Sequence, residues 1–168
     1  SAGRRRRHTL EPAPAALAKA PLAAPAWLDP YLEALDAHGF GDPALGDLAK
    51  EIIRLRLNAD ILDSEALARH LAARGFGAVL GEIDKAASIA NAPFLEPDIP
   101  PAAAKSQWMH AFEQVARAAA LNDAIEVAKK NLVGRADMEA IERMKTERDA
   151  LRRAIGSGTV WADSGSYG

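Results

Sequence analysis

The chain has 168 residues, a net charge of −2 and no cysteine, so disulfides, thiolate zinc sites and cysteine nucleophiles are excluded. Its length suffices for one core, or a small core with an appendage. Apolar residues make up 49% of it but aromatics only 5%, and much of the apolar share is Ala, the strongest helix former; sheet formers are scarce, and the expected fold class is all-α.

Residues 1–14 read as a linker or disordered arm, with four arginines and two prolines. The run Arg4–Arg7 reads as a solvated tether rather than a nucleic-acid contact. It is followed by Glu11, Pro12 and Pro14 instead of an apolar stretch, unlike a signal sequence. Subtracting the four charges of Arg4–Arg7 from the net −2 leaves −6 over residues 8–168. A duplex-binding domain needs a basic face, so no direct nucleic-acid binding is expected from the folded part.

Five short helices are predicted next. Ala15 to Ala23 is an Ala/Leu segment. Asp29-Pro30 reads as an N-cap with proline in the first turn, opening a segment through Leu32 and Leu35 that stops at Gly39. Gly41-Asp42-Pro43 repeats that logic before Leu45, Leu48, Ile52 and Leu55, spaced by 3, 4 and 3. Asp63 or Ser64 caps a helix carrying Leu67 and Leu71, ended by Gly75. A fifth runs through Val79, Leu80, Ile83 and Ile89. With the connection that follows, these form a small helical bundle subdomain over residues 15–101.

Four prolines among residues 93–101 make that connection non-helical. After it Trp108, Phe112, Val115, Ala118, Leu121, Ile125, Ala128 and Leu132 step by three or four without a breaker until Gly134. Asp137 is a plausible N-cap for a second stripe through Met138, Ile141, Met144, Leu151 and Ile155, with Arg148 at the missing position as a snorkelling stem. Residues 102–155 are thus expected to form a long, projecting antiparallel helical hairpin. Glu126/Lys130, Glu139/Arg143 and Asp149/Arg153 would pair along it. Helices near 102–133 and 138–155 should measure about 48 and 27 Å, so the first overhangs by roughly 20 Å. Trp108 and Phe112 sit on that overhang and are expected to form the structural junction with the bundle. The Gly/Ser-rich residues 156–168, with Trp161 and Tyr167, read as a disordered tail.

Chemistry is hard to place. His8, His38, His70 and His110 lie 30, 32 and 40 residues apart, without metal-ligand spacing. There is no phosphate loop, and Gly75-Phe76-Gly77 reads as a turn. The acid pairs Asp60/Asp63 and Glu139/Glu142 lie in charged, solvated stretches. No catalytic residue, metal or cofactor is expected, and no apolar run approaches the roughly 20 residues of a membrane span. The far end of the hairpin carries Lys129, Lys130, Leu132, Val133, Arg135, Met138, Ile141, Glu142 and Lys145. Aliphatic and Met side chains rimmed by charge there make it the candidate protein interface.

The stretches Pro25-Ala26-Trp27-Leu28-Asp29, Gly39-Phe40-Gly41-Asp42-Pro43-Ala44-Leu45, Glu51-Ile52-Ile53-Arg54-Leu55 and Leu62-Asp63-Ser64-Glu65-Ala66-Leu67-Ala68-Arg69-His70-Leu71 resemble the C-terminal domain of bacterial DNA primases, most of all the alphaproteobacterial type. So does Phe94-Leu95-Glu96-Pro97-Asp98 followed ten residues later by Trp108. The resemblance spans residues 15–160 and rests on the order and spacing of these stretches. It implies a non-catalytic, cytoplasmic helicase-binding domain: a bundle and a helical hairpin that dock on the N-terminal domains of the hexameric replicative helicase. Docking brings a DNA primase, the nucleotidyltransferase that makes RNA primers, to the replication fork. Some members also bind the acidic tail of the single-stranded-DNA-binding protein. Here Lys19 is the only cation between Thr9 and Ala26, which speaks against that second partner. The helicase's own N-terminal domain shares the fold, but a helicase is expected to continue into an ATPase domain. A stand-alone helical adaptor is the reading from another class.

Overall fold

The computed structural model describes residues 9–58 and 63–163, with side chains to Trp161. Arg4–Arg7, His8, Asp60, Leu62 and Tyr167 lie outside the described residues. Within them the chain is all-α: α1 (Pro12–Ala23), α2 (Leu32–His38), α3 (Gly46–Asn58), α4 (Ser64–Ala73), α5 (Gly77–Ala90), α6 (Pro101–Lys130), α7 (Arg135–Ser157) and α8 (Thr159–Asp163). Tighter 3-10 turns fill Pro25–Tyr31, Pro43–Leu45 and Pro93–Leu95.

α1 runs through the centre of the bundle. Ala15, Ala16, Leu17 and Ala18 have no exposed surface, and α5 packs along them with Ile83, Ala86 and Ala87 buried. Small side chains on both helices let the backbones come close. Pro21 stands inside α1 and has no N–H, so the carbonyl four residues back, that of Leu17, loses its intrahelical donor. The indole of Trp108 fills the vacancy: Nε1 donates to the Leu17 oxygen at 2.9 Å.

Several expectations change. Residues 9–14 are no linker: Leu10, Ala13 and Pro14 are buried, α1 begins at Pro12, and the Glu11 N–H donates to Asp42 Oδ2 at 3.3 Å. Asp29-Pro30 caps nothing, because the chain already turns as a 3-10 helix from Pro25 to Tyr31. The Asp29 carboxylate instead takes both Nε and NH2 of Arg56, at 2.9 and 2.6 Å. Asp42 does cap, accepting from the Ala44 N–H at 2.9 Å, and of Asp63 and Ser64 it is Asp63 that caps α4, at 2.7 Å from the Ala66 nitrogen. Ile89 falls off the buried face of α5, which continues from Ile83 through Ala86 and Ala87, and is 68% exposed. Gly41 has φ +94° and would place a Cβ 2.5 Å from Val115 Cγ1, so only glycine fits where this turn crosses α6.

α6 and α7 are joined by residues 131–134 and pack on one another, with Arg117 meeting Glu147 and Asn122 meeting Arg148. Their 30 and 23 residues give about 45 and 34 Å, so α6 outruns α7 by roughly 11 Å, less than expected. α7 starts earlier than predicted because Gly134 is its N-cap; Asp137 lies in the first turn and reaches back to the Val133 and Gly134 N–H groups at 3.0 and 3.3 Å. It also runs on to Ser157, and Gly158, at φ +79°, turns the chain into α8. Residues 156–163 are therefore ordered helix and turn rather than tail. Val160 and Trp161 are buried, the Trp161 indole donates to the Ala90 oxygen at 3.1 Å, and its ring meets Phe94 edge-on at 5.3 Å.

One continuous core joins α1–α5, the base of α6 and α8. Beyond it the buried apolar residues of the two long helices are Ala118 and Ile125 on α6 and Ile141 on α7.

Candidate protein-interaction surface

Trp108 and Phe112 sit where α6 crosses the bundle, almost without exposed surface. Their rings stack at 5.1 Å, and Trp27 and Tyr31 close on them from the preceding turn at 5.1–5.8 Å between centroids. The Tyr31 hydroxyl donates to Glu113 Oε1 at 2.6 Å; burial, then that hydrogen bond and the adjacent negative charge, push the phenol well above its usual range. Tyr31 therefore stays a neutral donor.

At the opposite end of α6 the chain turns between two side-chain clamps. Asn131 Nδ2 donates to the Val127 carbonyl at 2.9 Å, tying down the end of α6, while Asp137 holds the N–H groups that begin α7. With its polar groups satisfied locally, this turn leaves its apolar side chains in solvent: Val133 is 91% exposed, Met138 56% and Leu132 46%. Val127, one turn before, is 60% exposed and joins them. Val127 lies outside the predicted set. Its signal was an aliphatic residue off the stripe of Leu121, Ile125, Ala128 and Leu132, with Asp123 and Lys130 one turn away on its own face.

The charged members of the predicted set lie in the same stretches of α6 and α7 as this patch. Lys129, Lys130, Arg135 and Glu142 are exposed, and Lys145 is half-buried. Their local partners differ from the expected pairs: Glu126 is met by Lys129 at 3.3 Å, Glu139 by Arg135 at 3.7 Å, Glu142 by Lys145 at 3.5 Å and Asp149 by Arg148 at 3.0 Å. Ile141 does not belong to the exposed surface. It is buried, the one such residue of α7. Arg148 is no solitary stem: its NH1 donates to Asn122 Oδ1 at 2.9 Å across the two helices.

The acids singled out in the sequence are engaged where they are described. Asp63 is a cap, and Glu139 and Glu142 are exposed partners of cations. Glu51 is the one buried glutamate among the described residues. Arg54 donates to it at 2.6 Å and Arg74 lies at 3.4 Å. The Arg54 hydrogen bond first, then the charges of Arg54 and Arg74, outweigh burial and hold its carboxyl below the usual carboxylate range. A carboxylate fixed in its charged form by two guanidinium groups braces α3 against the end of α4. It is not poised to exchange protons.

No three His, Asp or Glu side chains among the described residues converge as a metal ion would require. No helix of these residues is long and apolar enough to cross a membrane. A cleft of about 860 Å³ lies at the base, between the start of α1 and the ends of α5 and α7, with Asn91, Asn122, Arg152 and Trp161 among its walls. Asn122 already accepts from Arg148 and Arg152, and Trp161 donates to Ala90. A second, shallow groove of about 710 Å³ separates α2 from α6 and is lined mainly by Ala. Among the described residues, the turn end of α6 and α7 is the region where large apolar side chains stand exposed close together in the chain. Compared with family models, with curated proteins and with solved structures, the chain matches none of them.

Proposed function

We propose that this chain is a non-catalytic docking module: the helicase-binding C-terminal domain of a bacterial DNA primase, using the turn end of α6 and α7 as its contact. In this reading the two long helices project as a lever, and their turn end meets the N-terminal domains of the hexameric replicative helicase. The contact recruits the primer-synthesising nucleotidyltransferase to the fork in the cytoplasm. One observation carries the docking role. Of the six large apolar side chains that stand exposed among the described residues, Val127, Leu132, Val133 and Met138 fall within twelve positions at one turn. Exposed apolar groups scattered singly are ordinary, but a cluster accompanied in the same stretches of α6 and α7 by Lys129, Lys130, Arg135 and Glu142 suits an interface core with a polar rim. Met138 adds an adaptable side chain. The helicase as partner comes from the sequence resemblance. Lys19, the lone cation of the region that would receive an acidic tail, is 3.4 Å from Asp84, which weighs against the single-stranded-DNA-binding protein as a second partner.

Titrating the cognate helicase hexamer against this chain tests the proposal. Burying two aspartates where Val133 and Met138 stand should weaken the complex about a hundredfold or more, since central apolar contacts are worth ~2 kcal/mol or more each. Unchanged affinity in the Val133→Asp/Met138→Asp variant would move the contact to the bundle. No binding by the unaltered chain would reject the helicase as partner.

A further inference from the structure

We infer that α7 is a releasable helix, clasped to the bundle through α8, whose release bares the apolar seam of α6. Of its 23 residues Ile141 is the one fully buried, whereas α6 buries seven of 30. Met144, Leu151 and Ile155 on its apolar stripe are only half-buried. The rest of the seam is polar: Arg117 with Glu147, and Arg148 and Arg152 on Asn122. The Arg117–Glu147 pair is open to water and such a pair holds helices weakly, while Arg148 is largely covered.

The grip is concentrated at the base. Gly158 turns the chain back, and α8 sets Val160 and Trp161 into the core. The Trp161 indole donates to Ala90, one of the end carbonyls of α5 that have no donor within their own helix. A helix of five residues has no stability of its own, so α8 stays folded only while docked. Once it lets go, α7 is tethered by the turn at residues 131–134 and by its seam with α6. Peeling it away exposes Ala118 and Ile125 of α6 together with Ile141. Val160, Trp161, Ala154 and Ile155 leave the core with it, while Trp108 and Phe112 stay packed against the rest of the bundle at the base of α6. The inference concerns the chain alone and holds whatever the turn end contacts.

Hydrogen exchange on the full chain, read by mass spectrometry, tests it. Amides of residues 139–155 should exchange as one unit, at least about tenfold faster than those of residues 104–118. Trp161→Ala should speed α7 about tenfold further, with α1, α5 and residues 104–118 unchanged. Gly158→Ala strains the returning turn without removing a core atom, and should speed α7 about fivefold. Three results would overturn the inference. In one, α7 is as protected as residues 104–118 in the unaltered chain. In another, α7 exchange is unmoved by either substitution. In the last, Trp161→Ala accelerates or unfolds the whole chain, which makes Trp161 part of one cooperative core.

Discussion

The two ends of α6 belong to one uninterrupted helix, yet they have opposite fates. From Ala104 to Ala118 it buries six residues, Trp108 and Phe112 among them; from Ala119 to Lys130 it buries Ile125 alone. Helix propensity is comparable along both halves, so the difference lies in what covers them. At the base, helices with carbonyls left over meet indole donors: Trp108 serves Leu17, orphaned by Pro21, and Trp161 serves Ala90 at the end of α5. At the turn, Asn131 and Asp137 satisfy the backbone from within the turn itself, and no other element is called in. A polar backbone group that needs an outside donor recruits packing around it. One satisfied locally leaves its neighbours free.

The largest expected effect breaks the base. Trp108→Ala removes a fully buried aromatic and strands the Leu17 carbonyl, and should cost about 3–5 kcal/mol. For a chain of this size the thermal midpoint should fall by roughly 10 °C. An unmoved midpoint would mean that the indole does not join α6 to the bundle. Pro21→Ala sharpens the test, because it restores an N–H that can reach Leu17 from within α1. Trp108→Phe, which drops the indole donor but keeps an aromatic ring, should cost about 1–3 kcal/mol alone and measurably less beside Pro21→Ala. Additive costs would show that Pro21 and Trp108 are not coupled through that carbonyl.

Much of this was legible in the sequence, and the exceptions share a cause. Hydrophobic spacing found the helices, and Asp42 and Asp63 announced their caps, because these are local signals within four residues. Trp108 and Phe112 were readable as large apolar residues on the α6 stripe, although the overhang that was to explain their burial is about half as long as expected. The partnership of Pro21 with Trp108 was hidden: each was visible, but the link spans 91 residues. Asp29 looked like a cap and was claimed by Arg56, 27 residues on. Trp161 was lost in a Gly/Ser-rich stretch, although an aromatic among glycines is itself a hint that the chain folds back. At the turn end the exposed Val133 and Met138 were readable as apolar residues next to a helix break. Ile141 was misplaced because its burial depends on register between two helices, which neither stripe specifies alone.

A smaller effect separates the ends by charge. At the bundle, Glu51 is buried between Arg54 and Arg74, whereas the ion pairs of the turn end stand in water. The folded carboxyl of Glu51 titrates below its unfolded value of about 4.3. Its contribution is therefore present above that value and lost as pH falls through the lower folded one. Glu51→Gln should melt earlier than the unaltered chain at pH 7, and the gap should close progressively below about pH 4. Calorimetry across that range checks it. A gap that stays constant down to pH 3 would mean that the ion pairing of Glu51 contributes nothing, and that only its packing matters.

The smallest effect on stability belongs to the turn end, and that smallness is what makes it informative. Val133 is 91% exposed and precedes the N-cap of α7, and Met138 is 56% exposed in the first turn. An aspartate at either place adds negative charge near a helix N-terminus, which is favourable. It also sits near the Asp137 carboxylate, which is not. The two contributions are each a few tenths of a kcal/mol, so Val133→Asp and Met138→Asp should each shift stability by less than about 0.5 kcal/mol. Ile141→Asp, three residues further along the same helix, puts a carboxylate into a buried position and should cost several times more. Denaturant titration of the three variants reads the contrast directly. A loss above about 1 kcal/mol at Val133 or Met138 would mean that these side chains close the helix pair rather than wait for a partner. The weakened binding expected of the double variant would then report a damaged fold.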